Sequence, residues 1–231
     1  MKIITNQKIV ERNSKIGRYS GIASLAILAG GMYLSFRYQE QVWYSLAALI
    51  LGFTLSQVSI YYTTRFGGSS RPDQKLNEAL KGLDDRYAIY HYSSPVTHLL
   101  VGPAGIWCLL PYHQKGVITY DEQKEKWQRK GGNFYLKFFA QDSIGRPALE
   151  IEAAQKNLRK ELAKIPDFEI PEIRAGLIFT HDQAEVNVEN APHPTLHMLQ
   201  LKKVIRKEAK GDNSLSMSVV KTVQDALDLK S

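Results

Sequence analysis

Two long runs of apolar residues near the N-terminus stand out from an otherwise mixed pattern of hydrophobic and polar positions. Residues 20–36 and 42–62 contain no charged side chain, and about 20 apolar residues suffice to cross a bilayer as a helix. Residues 37–41 between them are mostly polar and leave room only for a tight turn. The pattern therefore predicts two transmembrane helices that form an antiparallel hairpin.

Beyond a linker at residues 63–71, the pattern changes to that of a folded domain over residues 72–231. Leucines at positions 76, 80 and 83 predict a helix over residues 72–83. Alternating segments predict an antiparallel meander of five strands, at 87–92, 97–101, 106–110, 116–120 and 126–129. The rest of the pattern predicts a helix at 148–164, a buried strand at 173–180, a short strand at 196–199, and helices at 201–209 and 217–229. The predicted fold class is α/β, a mixed sheet flanked by helices.

The net charge of +7 is concentrated around the two apolar runs. Residues 1–19 hold five basic side chains and one acidic one, and Arg65 and Arg71 follow the second run, which leaves residues 72–231 nearly neutral. The overall charge of the domain thus gives no sign of a nucleic-acid-binding protein. Because cytoplasmic segments are enriched in Lys and Arg, we expect a multi-pass protein of the cell inner membrane with both termini in the cytoplasm.

Two other interpretations of the apolar runs remain open at this stage. The first run, with its basic start at residues 1–19, could be a signal peptide, and the pair could be a buried helical hairpin of a soluble protein. Small residues spaced four apart predict close packing of the two helices; they are Ala26 and Gly30 in the first, and Ala48, Gly52 and Ser56 in the second.

Residue types that carry common chemistry are sparse. Cys108 is the only cysteine and lies in an apolar run, so a disulfide or a multi-cysteine zinc site within the chain is excluded. Pro194 lies between His193 and His197, which argues against a helix that would place both on one face. His98 is expected to be structural, and His113 is a weak functional candidate near a strand end. The chain contains no phosphate-binding loop, dinucleotide fingerprint or serine nucleophile elbow.

A set of motifs in residues 71–210 resembles the nuclease-related domain (NERD) family, which has a restriction-endonuclease-like core. The set includes an acid, Asp73, ahead of the first helical leucine, the segment LLVGPAGIWCLLPYHQKG, the helix start GRPALEIEAAQKNL and the strand GLIFT. The compact hairpin and this resemblance together suggest a bacterial source. The resemblance implies metal-dependent nuclease chemistry at the strands that flank the Gly-Pro-Ala-Gly turn.

This chain departs from the family pattern at every position that the resemblance assigns to chemistry. The family's Asp falls on Thr97, its Glu on Leu110, its Lys on Tyr112 and a helical Gln on Glu150. Such a nuclease holds Mg²⁺ with carboxylates and uses the metal to activate water, which Thr97 and Leu110 cannot support. We therefore predict a degenerate site with no catalytic residues, no bound metal and no cofactor.

The sequence thus predicts a membrane-anchored, non-catalytic domain that serves in interaction or scaffolding, a pseudoenzyme. The alternative is a membrane-tethered nuclease whose metal ligands have moved to Asp73, Glu78, Glu150 or Glu152. Glu150 and Glu152 diverge on one helix, which counts against the simplest pair.

The lipid bilayer is the main expected partner, with anionic lipid or a protein as further ones. The segment LKKVIRKEAK predicts an amphipathic helix with basic residues at Lys202, Lys203, Arg206, Lys207 and Lys210. Such a helix could contact anionic lipid or nucleic acid, or present a plain solvated face. A second basic segment, residues 124–132, is predicted to be an exposed hairpin turn. A membrane-bound nucleic-acid-binding protein is the third hypothesis.

Overall fold

The structure, a computed structural model, describes residues 1–38, 40, 42–68, 71–130 and 144–229, with only the backbone at position 130. It consists of two compact units, one formed by residues 7–71 and one by residues 1–6 together with 72–231. Part of the predicted turn, Gln39 and Gln41, lies outside the described residues, as do Gly131 and Gly132 of the second basic segment.

The first unit is a pair of long helices, α1 (Gln7–Arg37) and α2 (Val42–Phe66). Both are long and apolar enough to cross a membrane, and both extend beyond the predicted apolar runs. Their contact is close where small residues meet. A Cβ atom added at Gly31 would come within 2.6 Å of the Ala48 Cβ atom, and one added at Gly52 within 2.6 Å of the Leu28 side chain.

The predicted contact through Ala26 and Gly30 is wrong. Both residues are exposed, and a Cβ atom at Gly30 would meet nothing within 4 Å. The contact residues of α1 are spaced alternately four and three positions apart, which is typical of a left-handed crossing. A strict four-residue repeat, as at Ala26 and Gly30, follows a different face of the helix. The residues of α1 on the contact face are Gly17, Gly21, Ser24, Leu28 and Gly31.

The second unit contains a six-stranded mixed sheet with the order β1-β2-β3-β4-β7-β9. Its strands are β1 (Lys2–Thr5), β2 (Ala88–His91), β3 (His98–Gly102), β4 (Gly105–Tyr112), β7 (Ile173–Phe179) and β9 (Thr195–His197). β2, β3 and β4 are antiparallel, whereas β1 is parallel to β2 and β7 is parallel to both β4 and β9. β9 ends before Met198, so the strand predicted at 196–199 is shorter and the next helix begins earlier.

Strand β1 was not predicted, and it changes the domain organisation. Its four residues precede the helical hairpin in sequence but pair with β2, which follows the hairpin, with Ile4 opposite Tyr90. The segment KIIT is too short to show a strand periodicity, and its partner is distant in sequence. Residues 1–6, predicted to be part of a separate basic segment, thus complete the sheet of the α/β domain.

The predicted five-strand meander is wrong beyond β4. Strands β5 (Gly116–Asp121) and β6 (Lys126–Lys130) form a second, three-stranded sheet with β8 (Ala184–Val186), a strand that was not predicted. The free edge of β4 is taken instead by β7 over seven residue pairs, from Ile106 with Ile173 to Tyr112 with Phe179. β7, whose only polar side chain is Arg174, is better buried in the centre of the sheet than the half-polar β5.

Helices cover both faces of the large sheet. On one face, Leu99 and Cys108 pack with helices α4 (Pro147–Leu162) and α6 (Met217–Asp228). On the other, Leu100 and Trp107 pack with helices α3 (Pro72–Leu80) and α5 (Met198–Glu208). Successive side chains of a strand point to opposite faces, which explains this division. The predicted class, a mixed sheet flanked by helices, is confirmed.

Candidate functional site

The positions that the family resemblance marks lie around the C-terminal half of β4. Thr97 directly precedes β3 and is exposed, whereas Leu110 and Tyr112 belong to β4 and point to the face that α4 covers. The pairing of β3 with β4 ends at Leu99 and Cys108, two residues after Thr97 in one direction and two residues before Leu110 in the other. Glu150 lies in the first turn of α4. Leu110, Tyr112 and Glu150 therefore lie on the side of the sheet that α4 covers, and Thr97 lies at the start of the neighbouring strand.

Tyr112 and Glu150 are in direct contact. The Tyr112 hydroxyl donates a hydrogen bond to Glu150 Oε2 at 3.0 Å. The Tyr112 ring stacks on Phe179, with 5.6 Å between ring centroids, and its carbonyl accepts a bond from the Thr180 amide at 2.8 Å. These contacts hold the phenol against the carboxylate that the resemblance places in the site. One oxygen of Glu150 is thus already engaged by a neutral donor.

The acids proposed as relocated ligands are divided between the two faces of the sheet. Asp73 and Glu78 belong to α3, and Glu150 and Glu152 belong to α4, so the sheet lies between the two pairs. Within the part of the chain that the structure describes, no group of three or more His, Cys, Asp or Glu side chains could hold a metal ion. The geometry brings none of the α3 acids to Glu150.

A buried polar network lies under α3. His91 and His98 face each other across β2 and β3, with 2.8 Å between their Nδ1 atoms, and His91 Nε2 lies 3.0 Å from Asn77 Oδ1. Because an amide oxygen only accepts, His91 Nε2 donates to Asn77, and His91 Nδ1 then accepts from His98 Nδ1–H. Burial and the neighbouring His91 hold the pKa of His98 well below its usual value. The predicted structural role of His98 fits this neutral, hydrogen-bonded pair.

His113, the weak functional candidate, pairs with another histidine. Its ring lies 5.0 Å from that of His181, and its Nδ1 atom lies 3.5 Å from Thr180 Oγ1. Partial burial, with His181 and Lys75 nearby, lowers the pKa of His113. His181 is itself fixed, because its Nδ1 accepts a bond from the Gln183 amide and its carbonyl lies 3.2 Å from the Nε2 atom of His197. Among the described residues, the pair has no carboxylate arranged to make it a metal site.

The basic residues predicted on one helix do lie on α5 and its C-terminal turn, but they divide into two sets. Lys202 Nζ donates to the Lys81 carbonyl at 3.1 Å, and Arg206 Nη2 donates to the Gly82 carbonyl at 2.8 Å. Both carbonyls follow the end of α3, so these two side chains join the two helices. Lys203, Lys207 and Lys210 are exposed.

An open acidic cleft of about 700 Å³ lies beside the small sheet. Two of its three carboxylates are used within the protein, because Gln128 donates to Asp121 at 2.7 Å and Asn190 donates to Glu122 at 2.9 Å. In the neighbouring basic segment, Trp127 is buried and donates through Nε1 to Thr195 Oγ1 at 2.9 Å. The second basic segment is thus anchored by its aromatic residue in the described part of its length.

Sequence reasoning missed the partners that fix these side chains. Phe179 and Thr180 hold Tyr112, and His91, itself bonded to Asn77, holds His98. The strands and the helix that contain these partners were predicted, but the contacts were not. The hairpin register offered a signal, since the tight turn at Pro103 and Ala104 sets which residues of β3 and β4 face each other. The contacts with α3 and α4 depend on helix placement, which periodicity does not give.

Comparison with known proteins returned no matching family model, no matching curated protein and no matching solved structure.

Proposed function

We propose that the protein is a membrane-anchored member of the NERD-like class whose α/β domain binds other molecules and does not cleave nucleic acid. The contact between Tyr112 and Glu150 carries this proposal. A hydroxyl donor lies on the carboxylate, and the two positions that the resemblance assigns to acids hold Thr97 and Leu110. A hard cation such as Mg²⁺ needs anionic oxygen ligands. Among the four positions only Glu150 is a carboxylate, and it already accepts a hydrogen bond.

The order of elements supports the proposed family relationship. Helix α3, the antiparallel strands β2, β3 and β4, helix α4 and the parallel strand β7 follow the order on which the resemblance rests. The two-residue turn between β3 and β4 has the Gly-Pro-Ala-Gly sequence, with Gly105 at φ 109°, a value that favours glycine. The restriction-endonuclease-like core is part of the proposal.

The surface of the helical hairpin supports membrane anchoring. Large apolar side chains such as Leu25, Met32 and Trp43 are 70%, 63% and 80% exposed within the unit, an arrangement that is costly in water and favourable in lipid. Hydroxyl groups are satisfied inside the hairpin, as hydrocarbon requires: Ser24 donates to the Gly52 carbonyl at 2.6 Å, and Ser59 to the Gly17 carbonyl at 2.8 Å. A helix of a soluble core would be covered.

Strand β1 supports the proposed orientation and argues against a signal peptide. Because β1 pairs with β2, the chain before α1 and the chain after α2 must lie on the same side of any membrane that the hairpin crosses. Cleavage after the first apolar run would remove β1 from its own sheet. With basic residues at both ends of the hairpin, the positive-inside rule favours the cytoplasmic side, and we propose an inner-membrane protein with that orientation.

A metal titration tests the proposal that the site is not catalytic. The full-length protein in detergent micelles is titrated with MnCl₂ by calorimetry, beside the Thr97→Asp, Leu110→Glu, Tyr112→Lys triple variant and a Glu150→Gln control. We expect no saturable binding by the wild type and binding by the triple variant, because the variant restores two carboxylates near Glu150.

A nuclease assay decides the question even if the triple variant fails to fold. We expect the wild-type protein to leave plasmid DNA intact in the presence of Mg²⁺ or Mn²⁺. Saturable Mn²⁺ binding by the wild type, or DNA cleavage that Glu150→Gln abolishes, would show that a working metal site is present and would overturn the proposal.

A further inference from the structure

The outward side of α5 is the most strongly basic surface of this helix layer. We call it the α5 basic face and define it by Leu199, Lys203, Arg206, Lys207 and Lys210. The opposite side of the helix is buried, with Leu201 and Ile205 fully covered by the sheet and α3. The face is thus rigidly presented by a helix that is itself part of the domain core.

The positive charge of this face is not balanced by the single acidic residue of the helix, which is paired elsewhere. The one carboxylate of α5, Glu208, accepts a hydrogen bond from Arg174 Nη1 at 2.6 Å and is engaged beside the sheet. Within the described part of the chain, Lys203, Lys207 and Lys210 form no ion pair. Arg206 is held in place by its bond to the Gly82 carbonyl and adds its charge beside them.

An exposed leucine lies near the N-terminal end of α5, on the same side of the helix as the basic residues. At about 100° per residue, Leu199 lies on the arc between Arg206 and Lys210, and its side chain is 79% exposed. A large apolar side chain that shares a helix side with lysine and arginine is typical of helices that lie on a membrane surface, where the apolar group enters the headgroup region. Binding to nucleic acid phosphates uses the cations and gives the leucine no role.

We infer that the α5 basic face binds the headgroup phosphates of anionic phospholipids in the membrane that anchors the chain. The inference rests on the proposed membrane anchoring and adds a lipid class that the domain recognises. Only residues 67–71 separate α2 from α3, and Asn6 alone separates β1 from α1. Such short connections keep the domain at a high effective concentration of headgroups, so a face with few cations suffices.

A single fluorescent probe on α5 can report this contact. Gln200 is exposed beside the basic face, and the Gln200→Cys variant of the full-length protein is labelled with a maleimide dye. Cys108 does not interfere, because it is fully buried and burial raises the pKa of its thiol to about 12. The protein is placed in nanodiscs of phosphatidylcholine, alone or mixed with phosphatidylglycerol, both containing a headgroup-linked quencher lipid.

We expect dye quenching to be at least about twofold greater in the anionic nanodiscs. The Lys203→Gln, Lys207→Gln, Lys210→Gln triple variant removes this difference. A matched control replaces three exposed cations of α4 on the opposite face of the sheet, Lys156→Gln, Arg159→Gln and Lys160→Gln, and keeps the difference. Both variants lower the net charge equally, so only the location of the charge distinguishes them.

Three results overturn the inference. They are equal quenching in neutral and anionic nanodiscs, equal loss in both triple variants, and displacement of the lipid signal by a short DNA duplex that binds the same lysines. The last result would identify nucleic acid as the occupant. If the protein does not enter nanodiscs at all, the proposed membrane anchoring is contradicted. This outcome is distinguishable, because no quenching is then measured with either lipid.

Discussion

At the scale of single residues, the side chains that are the best candidates for chemistry form hydrogen bonds with other side chains of the protein. Tyr112 donates to Glu150, and His98 donates to His91, which in turn donates to Asn77. The pair of histidines is buried between α3 and the sheet, and therefore depends on being neutral. A proton on His91 Nδ1 would remove the acceptor that His98 needs, and a proton on His98 Nε2 would place a charge in a buried site.

This network predicts a loss of stability in mild acid. The pKa of His98 is lowered in the folded protein, so the unfolded chain binds more protons as pH falls below about 6.5. Stability is complete above that pH and decreases below it, with a slope of up to about 1.4 kcal/mol per pH unit for one such group. His113 and His193, also with lowered pKa values, act in the same direction but are less buried.

Thermal unfolding of the full-length protein in detergent between pH 8 and pH 5 measures this effect. We expect His98→Gln to unfold at a lower temperature at pH 8, because it breaks the pair, but to lose less stability on acidification. His113→Gln is the matched control and should retain most of the wild-type pH dependence. An unchanged acid slope in His98→Gln would contradict the assignment.

At the scale of elements, periodicity predicted most helices and strands of the α/β domain near their observed bounds. Helix α4 was expected at 148–164 and spans Pro147–Leu162, and β7 was expected at 173–180 and spans Ile173–Phe179. These elements are long or predominantly apolar, so local sequence determines them. The pairing of strands was predicted less well. From the sequence alone β4 could pair with β5 or with β7, and which strand it pairs with depends on burial across the whole sheet.

The same limit applies to the candidate site. The resemblance placed Thr97, Leu110, Tyr112 and Glu150 together, and the structure puts the last three on one side of the sheet. It did not reveal that Tyr112 bonds Glu150, since that contact requires α4 to be docked at a particular position. Likewise, the division of the α5 cations depends on the α3 carbonyls beside them.

Strand β1 predicts an unusual sensitivity of the domain to its N-terminal residues. Ile4 packs against the main core, whereas its neighbour Ile3 points outward and is 50% exposed. We expect Ile4→Ala to lower the free energy of unfolding by about 1–2 kcal/mol, because Ile4 is only half buried. Ile3→Ala should have little effect. Thermal unfolding compares the two, and equal effects would show that β1 does not pair as described.

Adjacent glycines in α1 give a second matched pair. Gly31 faces Ala48 closely, and Gly30 has no neighbour, so the same substitution has opposite consequences. We expect Gly31→Ala to destabilise the helix pair by about 1–3 kcal/mol through overpacking, and Gly30→Ala to leave it intact or more stable. Unfolding in detergent followed by circular dichroism measures both. A greater loss in Gly30→Ala would contradict the left-handed packing face.

At the scale of the whole molecule, the chain leaves the α/β domain after β1 and re-enters it at α3. The described residues between those points are mainly the helical hairpin, which exposes large apolar side chains along its two uncharged runs. Both ends of the hairpin therefore connect to the same domain. The end before α1 continues from β1, a strand of the large sheet, and the end after α2 leads to α3. A fragment of residues 72–231 lacks that strand, so we expect it to unfold at a lower temperature than the domain in the full chain.

The central claim is that the hairpin crosses the membrane twice and that the domain, including β1, lies on one side. Single cysteines at Glu40, Ile3 and Gln123 are exposed to an impermeant maleimide in spheroplasts of an expression host, before and after lysis. The account predicts that Glu40→Cys is labelled in intact spheroplasts, while Ile3→Cys and Gln123→Cys are labelled only after lysis. Labelling of all three positions from the same side, or of Ile3→Cys and Gln123→Cys from opposite sides, would contradict it.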